Sequence, residues 1–194
     1  EIANPRSSVS EAYRSLATAL QFATNSGLPR SVAVTSAGPG EGKSTTALAL
    51  ARHFAAMNMK VLLVDADMRK PSLHDKLYLQ NEEGLSNYLA GNVAPPEVFQ
   101  ATDVSTLTFM ASGPTPPNAA DLLSGTRVFS LVSVGLEVFD LVIIDSPPVV
   151  GLADAQLISS ATAATVFVVG AGQQRKGSIR GALRRLRLAR TTLV

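Results

Sequence analysis

The chain has no cysteine and no tryptophan, and aromatic residues make up only 5% of its 194 positions. Without cysteine there is neither a disulfide framework nor a thiolate metal site, which fits a reducing compartment. Without tryptophan and with few rings, the core has to be assembled from Val, Leu, Ile and Ala. Charge is also scarce, at 16% of residues, and the formal net charge of +2 is too small to imply a nucleic-acid partner by itself. No apolar run reaches the length needed to cross a bilayer, and no signal-peptide pattern opens the chain. Tyrosine occurs at Tyr13, Tyr78 and Tyr88 and nowhere after position 88. The sequence starts at Glu1 instead of Met and stops soon after a helical stretch, so both ends read as cuts from something longer, and the piece as given reads as soluble and cytosolic.

What is present is a hydrophobic content of 46% in a length suited to one domain with a sizeable core, taken here as 1–194. The most informative stretch is Ser36-Ala37-Gly38-Pro39-Gly40-Glu41-Gly42-Lys43-Ser44-Thr45. It follows the apolar run 31–35 and precedes a helix-like run over 45–57, the strand, glycine-rich loop and helix layout of a phosphate-binding P-loop. Small residues let backbone N–H groups converge on phosphate oxygens, and the helix N-terminus adds unpaired donors and partial positive charge. Gly38, Gly40, Glu41, Gly42, Lys43, Ser44 and Thr45 are therefore the expected nucleotide-binding residues. Lys43 brings a full charge to the outer phosphates, and the Ser44 hydroxyl is suited to Mg²⁺. The first motif position is Ala37 where Gly is usual, which costs energy only if that residue needs a positive φ.

Elsewhere, apolar periodicity predicts helices over 8–23, 84–90, 119–123, 128–138, 153–159 and 178–190. Pro5 and Ser7 or Ser8 supply a start signal for the first, and Gly27-Leu28-Pro29 ends it. Its apolar stripe is read as Val9, Ala12, Tyr13, Leu16, Ala19 and Leu20. Strands are expected at 60–65, 107–111, 140–145 and 164–169, with a loop or short helix after Pro71. Strands alternating with helices imply parallel crossovers, hence a three-layer α/β/α sandwich with a mostly parallel central sheet, of the P-loop NTPase type. In such sheets ligands sit beyond the carboxyl ends of the strands. Two of those ends carry acids, Val64-Asp65-Ala66-Asp67-Met68-Arg69 and Ile144-Asp145-Ser146-Pro147-Pro148. One or two of these carboxylates as direct or water-mediated Mg²⁺ ligands is chemically sensible.

At these motifs the chain resembles the bacterial tyrosine kinases, P-loop autokinases that accompany exopolysaccharide and capsule export. The phosphate loop matches, as do Val-Leu-Leu-Val-Asp-Ala-Asp-Met-Arg-Lys-Pro over 61–71 and Asp-Leu-Val-Ile-Ile-Asp-Ser-Pro-Pro over 140–148. Glu11-Ala12-Tyr13-Arg14-Ser15-Leu16 looks like the start of the family's N-terminal oligomerisation helix, here spanning about 8–24. The resemblance implies an ATP-dependent enzyme, with ATP/ADP and Mg²⁺ bound. Lys43, Asp65 and Asp67 would be the catalytic residues, with Asp65 helping to deprotonate an incoming tyrosine; Ser44, Asp67 and Asp145 would surround the metal. Arg69 would either neutralise charge or pair with an acid to fix its loop. The implied partners are further copies of the chain, held in a ring through Glu11 and Arg14, and a membrane polysaccharide co-polymerase that activates the kinase from a fused or separate chain. The implied location is the cytoplasmic, inner face of the plasma membrane, with no nucleic acid involved.

Two departures bear on that expectation. The family's helix motif is Glu-x-x-Arg-x-x-Arg, and Ala17 stands at its third position. Losing that arginine removes a rigid fork able to grip carboxylates, so the ring contact is expected to be weakened. The family's tyrosine-rich C-terminal tail, the usual phosphate acceptor, is absent from the sequence. The alternative function is a partition or positioning ATPase without a protein acceptor; its signature lysine would fall at Gly38. A regulatory nucleotide-binding module is a third. Near the end, Arg175, Lys176, Arg180, Arg184, Arg185, Arg187 and Arg190 form either a solvated outer face or a surface toward anionic lipid. The loop 170–176 is a candidate for adenine contact by its location.

Overall fold

Continuous apolar runs with no polar interruption suit strands covered on both faces, and these runs build the centre of a six-stranded sheet. In a computed structural model, which describes residues 8–24, 27–151, 153–189 and 191–194, the strands are β1 (Ser31–Ser36), β2 (Val61–Asp65), β3 (Phe99–Ala101), β4 (Leu107–Met110), β5 (Leu141–Asp145) and β6 (Ala164–Val168). Their order across the sheet is β3-β4-β2-β5-β1-β6. All neighbours are parallel except β3, which runs antiparallel to β4 at one edge. The helices are α1 (Ser8–Gln21), α2 (Lys43–Ala56), α3 (Leu73–Leu77), α4 (Leu85–Ala90), α5 (Ala119–Leu123), α6 (Arg127–Val138), α7 (Asp154–Ser160) and α8 (Lys176–Leu188).

The pleat divides the core in two. Val61 and Leu63 face one side with Val32, Val34, Leu141 and Ile143, against α1, α2 and α3. Leu62 and Val64 face the other with Ala33, Val142 and Ile144, against α4, α5, α6 and α7. Full burial of each such aliphatic side chain is worth about 1.5–3 kcal/mol, so the three central strands hold the layers together. A smaller cluster of Ala37, Val149, Ala155, Ala182 and Leu186 seats α8 beside α7. The expected α/β/α sandwich is therefore present.

The differences from expectation are local. β3 and the 3₁₀ turn before it (Pro95–Val98) were not anticipated; three half-exposed residues are too short to show a period. The stretch after Pro71 is a short helix, α3. Pro5, Ser7 and Arg190, which figured in the boundaries of the first and last helices, lie outside the described residues. Ala12 and Ala19 are exposed, and Ala17 takes their place in the packed stripe, fully buried with Leu20 against α2. Glu11 and Arg14 remain on the outer side, paired at 3.5 Å. Restoring an arginine at position 17 would thus push a guanidinium toward the core, at a cost of about 2–3 kcal/mol. Among the described residues no helix is long and apolar enough to cross a membrane.

Candidate active site at the carboxyl ends of the strands

β1 runs into the glycine-rich loop because its last residues are pinned to their neighbours. Ser146 N–H donates to the Val34 carbonyl and Val149 N–H to that of Ser36, both at 2.9 Å. Gly40 and Gly42 then take φ of +79° and +92°, left-handed values that glycine adopts freely. The backbone at Ala37 is not left-handed, so the alanine there carries no penalty, and it packs in the core. Gly42 caps α2, and Lys43 is its first residue.

The Glu41 carboxylate is 6% exposed and acts as a clasp. One oxygen accepts the Gly38 N–H and the other accepts the Gly170 N–H at 3.0 Å, tying the phosphate loop to the loop after β6. The Gln174 side chain covers Gly38: a Cβ there would lie 2.2 Å from its amide nitrogen. The position expected to carry a lysine in a partition ATPase is therefore occupied by another loop's side chain.

Asp65 and Asp145 are register partners at the ends of adjacent parallel strands, both fully buried. Lys43 Nζ lies 2.8 Å from Asp67 Oδ2, 3.5 Å from Asp145 Oδ1 and 3.2 Å from the Ser44 hydroxyl. One lysine thus contacts two acids, with Asp65 acting on it from farther off. Burial works to lower the Lys43 pKa, but Asp145, Asp67 and Asp65 outweigh it and the net shift is upward. Burial raises Asp145 to about 7 against the pull of Lys43, with Asp65 adding repulsion. Asp65 also shifts upward through burial, although three backbone N–H groups favour its charged form. Those donors are Asp67 to Oδ1 and Ser72 and Leu73 to Oδ2, so Asp65 holds the 66–73 loop and seats the start of α3.

These groups border an open cleft of about 430 Å³ lined by Gly40, Lys43, Ser44, Thr45, Asp67 and Arg69, with Lys70 and Lys76 at its basic side. The donor set fits a magnesium nucleotide. Asp145 is only loosely engaged, by Lys43 Nζ at 3.5 Å and by the Ser44 hydroxyl, and three buried acids outnumber one lysine. Among the described residues no three acids or histidines gather into a cage that could hold a metal by itself. Arg69 pairs with an acid: its Nε donates to Asp154 Oδ2 at 3.0 Å. Asp154 was not singled out from sequence, since an acid in the first turn of a helix is ordinary and nothing in one sequence marks its burial. Glu11 and Arg14 on α1 are apart from this group and take no part in lining the cleft.

Residues 27–192 match the ParA family described as "NUBPL iron-transfer P-loop NTPase". With no cysteine in the chain, the thiolates that hold iron–sulfur clusters are missing. The tyrosine-protein kinase YwqD of Bacillus subtilis is 41% identical over 172 residues, covering 89% of this chain and 73% of that one. The kinase domain of the Escherichia coli tyrosine kinase ETK superposes with a TM-score of 0.94 at 31% identity, covering 99% of this chain and 75% of that domain. Of the full Etk sequence this chain spans 26%, at 32% identity. The chimerical protein CapA2B2 superposes with a TM-score of 0.92 at 34% identity, covering 98% of this chain and 84% of that one.

Proposed function

The chain belongs to the bacterial tyrosine kinases built on a P-loop domain, and from that premise we propose that residues 1–194 act as one kinase domain that transfers the γ-phosphoryl group of ATP to tyrosine. The carrying observation is that Lys43, Ser44 and Asp67 line one cleft, with Asp145 buried behind them 3.5 Å from Lys43 Nζ. Backbone N–H groups of 38–45 would hold the phosphates, with Lys43 on the outer ones. Ser44, Asp67 and Asp145 would hold Mg²⁺, which neutralises charge on the phosphates when bound. Phosphate competes with Asp67 for Lys43, and binding would free the Asp67 oxygen that the lysine holds at 2.8 Å. In the transfer, the tyrosine Oη bonds to the γ-phosphorus, the bond from that phosphorus to the ADP oxygen breaks, and the phenol proton passes to a carboxylate. A phenol pKa of about 10 makes such an acceptor useful. Asp65 is the carboxylate this reading does not commit to the metal, and it would take the proton although its two oxygens also accept three backbone bonds; Asp67 lines the cleft but is committed to the metal and to the Lys70 N–H.

The acceptor we infer is a tyrosine-bearing tail on a neighbouring copy. The coupling to polysaccharide export, an activating membrane co-polymerase and a place at the inner face of the membrane follow from the same family reading. Glu11 and Arg14, exposed on α1, would make the contact between copies. The glycine at position 38, where a lysine would be needed, disfavours a switch ATPase that reaches across a dimer.

Incubation with ATP and Mg²⁺, using a chain extended by a tyrosine-rich tail, tests this by mass spectrometry. Phosphotyrosine is expected, falling at least about a thousandfold in Lys43→Met. Phosphate release without labelled tyrosine would favour the switch ATPase.

A further inference from the structure

An ion pair outside the phosphate cradle ties together the two loops that carry the acids. Arg69 lies two residues after Asp67 and lines the cleft. Its partner Asp154 comes 85 residues later, at the start of α7, and closes the segment that begins at Asp145. The two side chains differ sharply in exposure: 2% for Asp154 against 44% for Arg69. Their contact is one-sided. Arg69 Nε donates to Oδ2 at 3.0 Å, while Oδ1 is buried without a hydrogen-bond partner among the described residues. Neither Nη group of Arg69 makes a hydrogen bond or ion pair among them.

A buried carboxylate with half its acceptors unused is costly, and a two-pronged grip on the same guanidinium would cost less. The single bond at Nε instead fixes the guanidinium at one edge and leaves its Nη edge, with four N–H donors, unused on a residue that lines the phosphate cleft. Phosphoryl transfer spreads negative charge over the equatorial oxygens of the moving group. A cation oriented beforehand, with no reorganisation at the moment of reaction, helps most there.

We propose that Arg69 contacts the phosphoryl group in transfer and that Asp154 is the positioning residue that holds its guanidinium for that contact. The proposal rests on the kinase reading above. Asp154 does not touch substrate; its effect passes through Arg69, and it also links the 66–73 loop to the start of α7.

The test uses the wild-type chain, Asp154→Asn, Arg69→Lys and the double variant. Two quantities are measured: tyrosine phosphorylation of a soluble tyrosine-containing polymer, and Mg·ADP binding by calorimetry with and without fluoroaluminate, which mimics the phosphoryl group in flight. Asp154→Asn should lower kcat about ten- to hundredfold and leave Mg·ADP affinity and the KM for ATP within about threefold. Fluoroaluminate should tighten Mg·ADP binding in the wild type and fail to do so in both single variants. The double variant should be no worse than Arg69→Lys alone. Asp154→Asn with normal kcat and normal fluoroaluminate enhancement overturns the proposal, even if its melting temperature falls. If Asp154→Asn does not fold, Arg69→Lys and Asp154→Glu decide by the same readouts. A wild-type chain that shows fluoroaluminate enhancement but labels no tyrosine defeats the kinase reading alone, and the variants then judge the proposal through binding. A wild-type chain with no enhancement overturns the proposal whatever its kinase activity.

Discussion

The carboxyl ends of β1, β2 and β5 and the outer face of α8 carry similar numbers of charged side chains in opposite circumstances. At the strand ends, Lys43, Asp65, Asp67 and Asp145 are all buried, and the ionisation of Lys43, Asp65 and Asp145 is shifted by burial and by their charged neighbours. On α8, Lys176, Arg180, Arg184 and Arg187 recur at helical spacing on the exposed side, and among the described residues none pairs with an acid. Water screens the second group almost completely, whereas the first interacts through protein. Burial, more than the number of charges, decides where a substitution is felt.

That contrast can be broken by substitution, most forcefully at Asp145. Asp145→Asn should abolish measurable magnesium-dependent nucleotide binding, read by calorimetry, while stabilising the nucleotide-free fold by about 2 kcal/mol at pH 8. The sign follows from the raised pKa. Between its ordinary value near 3.8 and about 7, the unfolded chain releases a proton that the folded chain keeps, so this group makes wild-type stability fall as pH rises through that window. Denaturant titrations across the range should show that slope in the wild type and a reduced one in Asp145→Asn. A variant less stable than wild type at pH 8 would mean that the carboxylate supports the empty fold.

Glu41→Gln should have an intermediate effect. An amide offers one acceptor oxygen where Glu41 uses two, so either the Gly38 or the Gly170 contact is lost. The expected cost is about 1–2 kcal/mol of stability and about a tenfold loss of nucleotide affinity by calorimetry. Smallest of all, Arg180→Gln combined with Arg184→Gln should shift the denaturation midpoint by no more than about 0.5 kcal/mol, upward if at all, because like charges four apart on a helix repel weakly. A large loss there would show that the α8 cations have partners.

Much of this was legible in the sequence, for definite reasons. The five longer strands are apolar runs closed by glycine, proline or acid, and Gly-Lys-Ser after such a run has few other meanings. Asp65 and Asp145 stood out because each ends a strand. What escaped notice depends on distant packing. Ala17 looks like any helical alanine until α2 covers it, and β3 is held in the sheet only by β4. Glu41 sits within the phosphate loop, yet its side chain serves the loop after β6, a contact across 129 residues. Asp154 resembles a helix-start acid until Arg69 reaches it from the loop after β2.

The most direct test is a crystal structure with Mg·ADP bound. The account predicts that Lys43 Nζ leaves Asp67, which it touches at 2.8 Å without nucleotide, and bonds a β-phosphate oxygen, with Ser44 and Asp145 joining the metal's surroundings. A diphosphate seated elsewhere, with the Lys43–Asp67 contact intact, would contradict it.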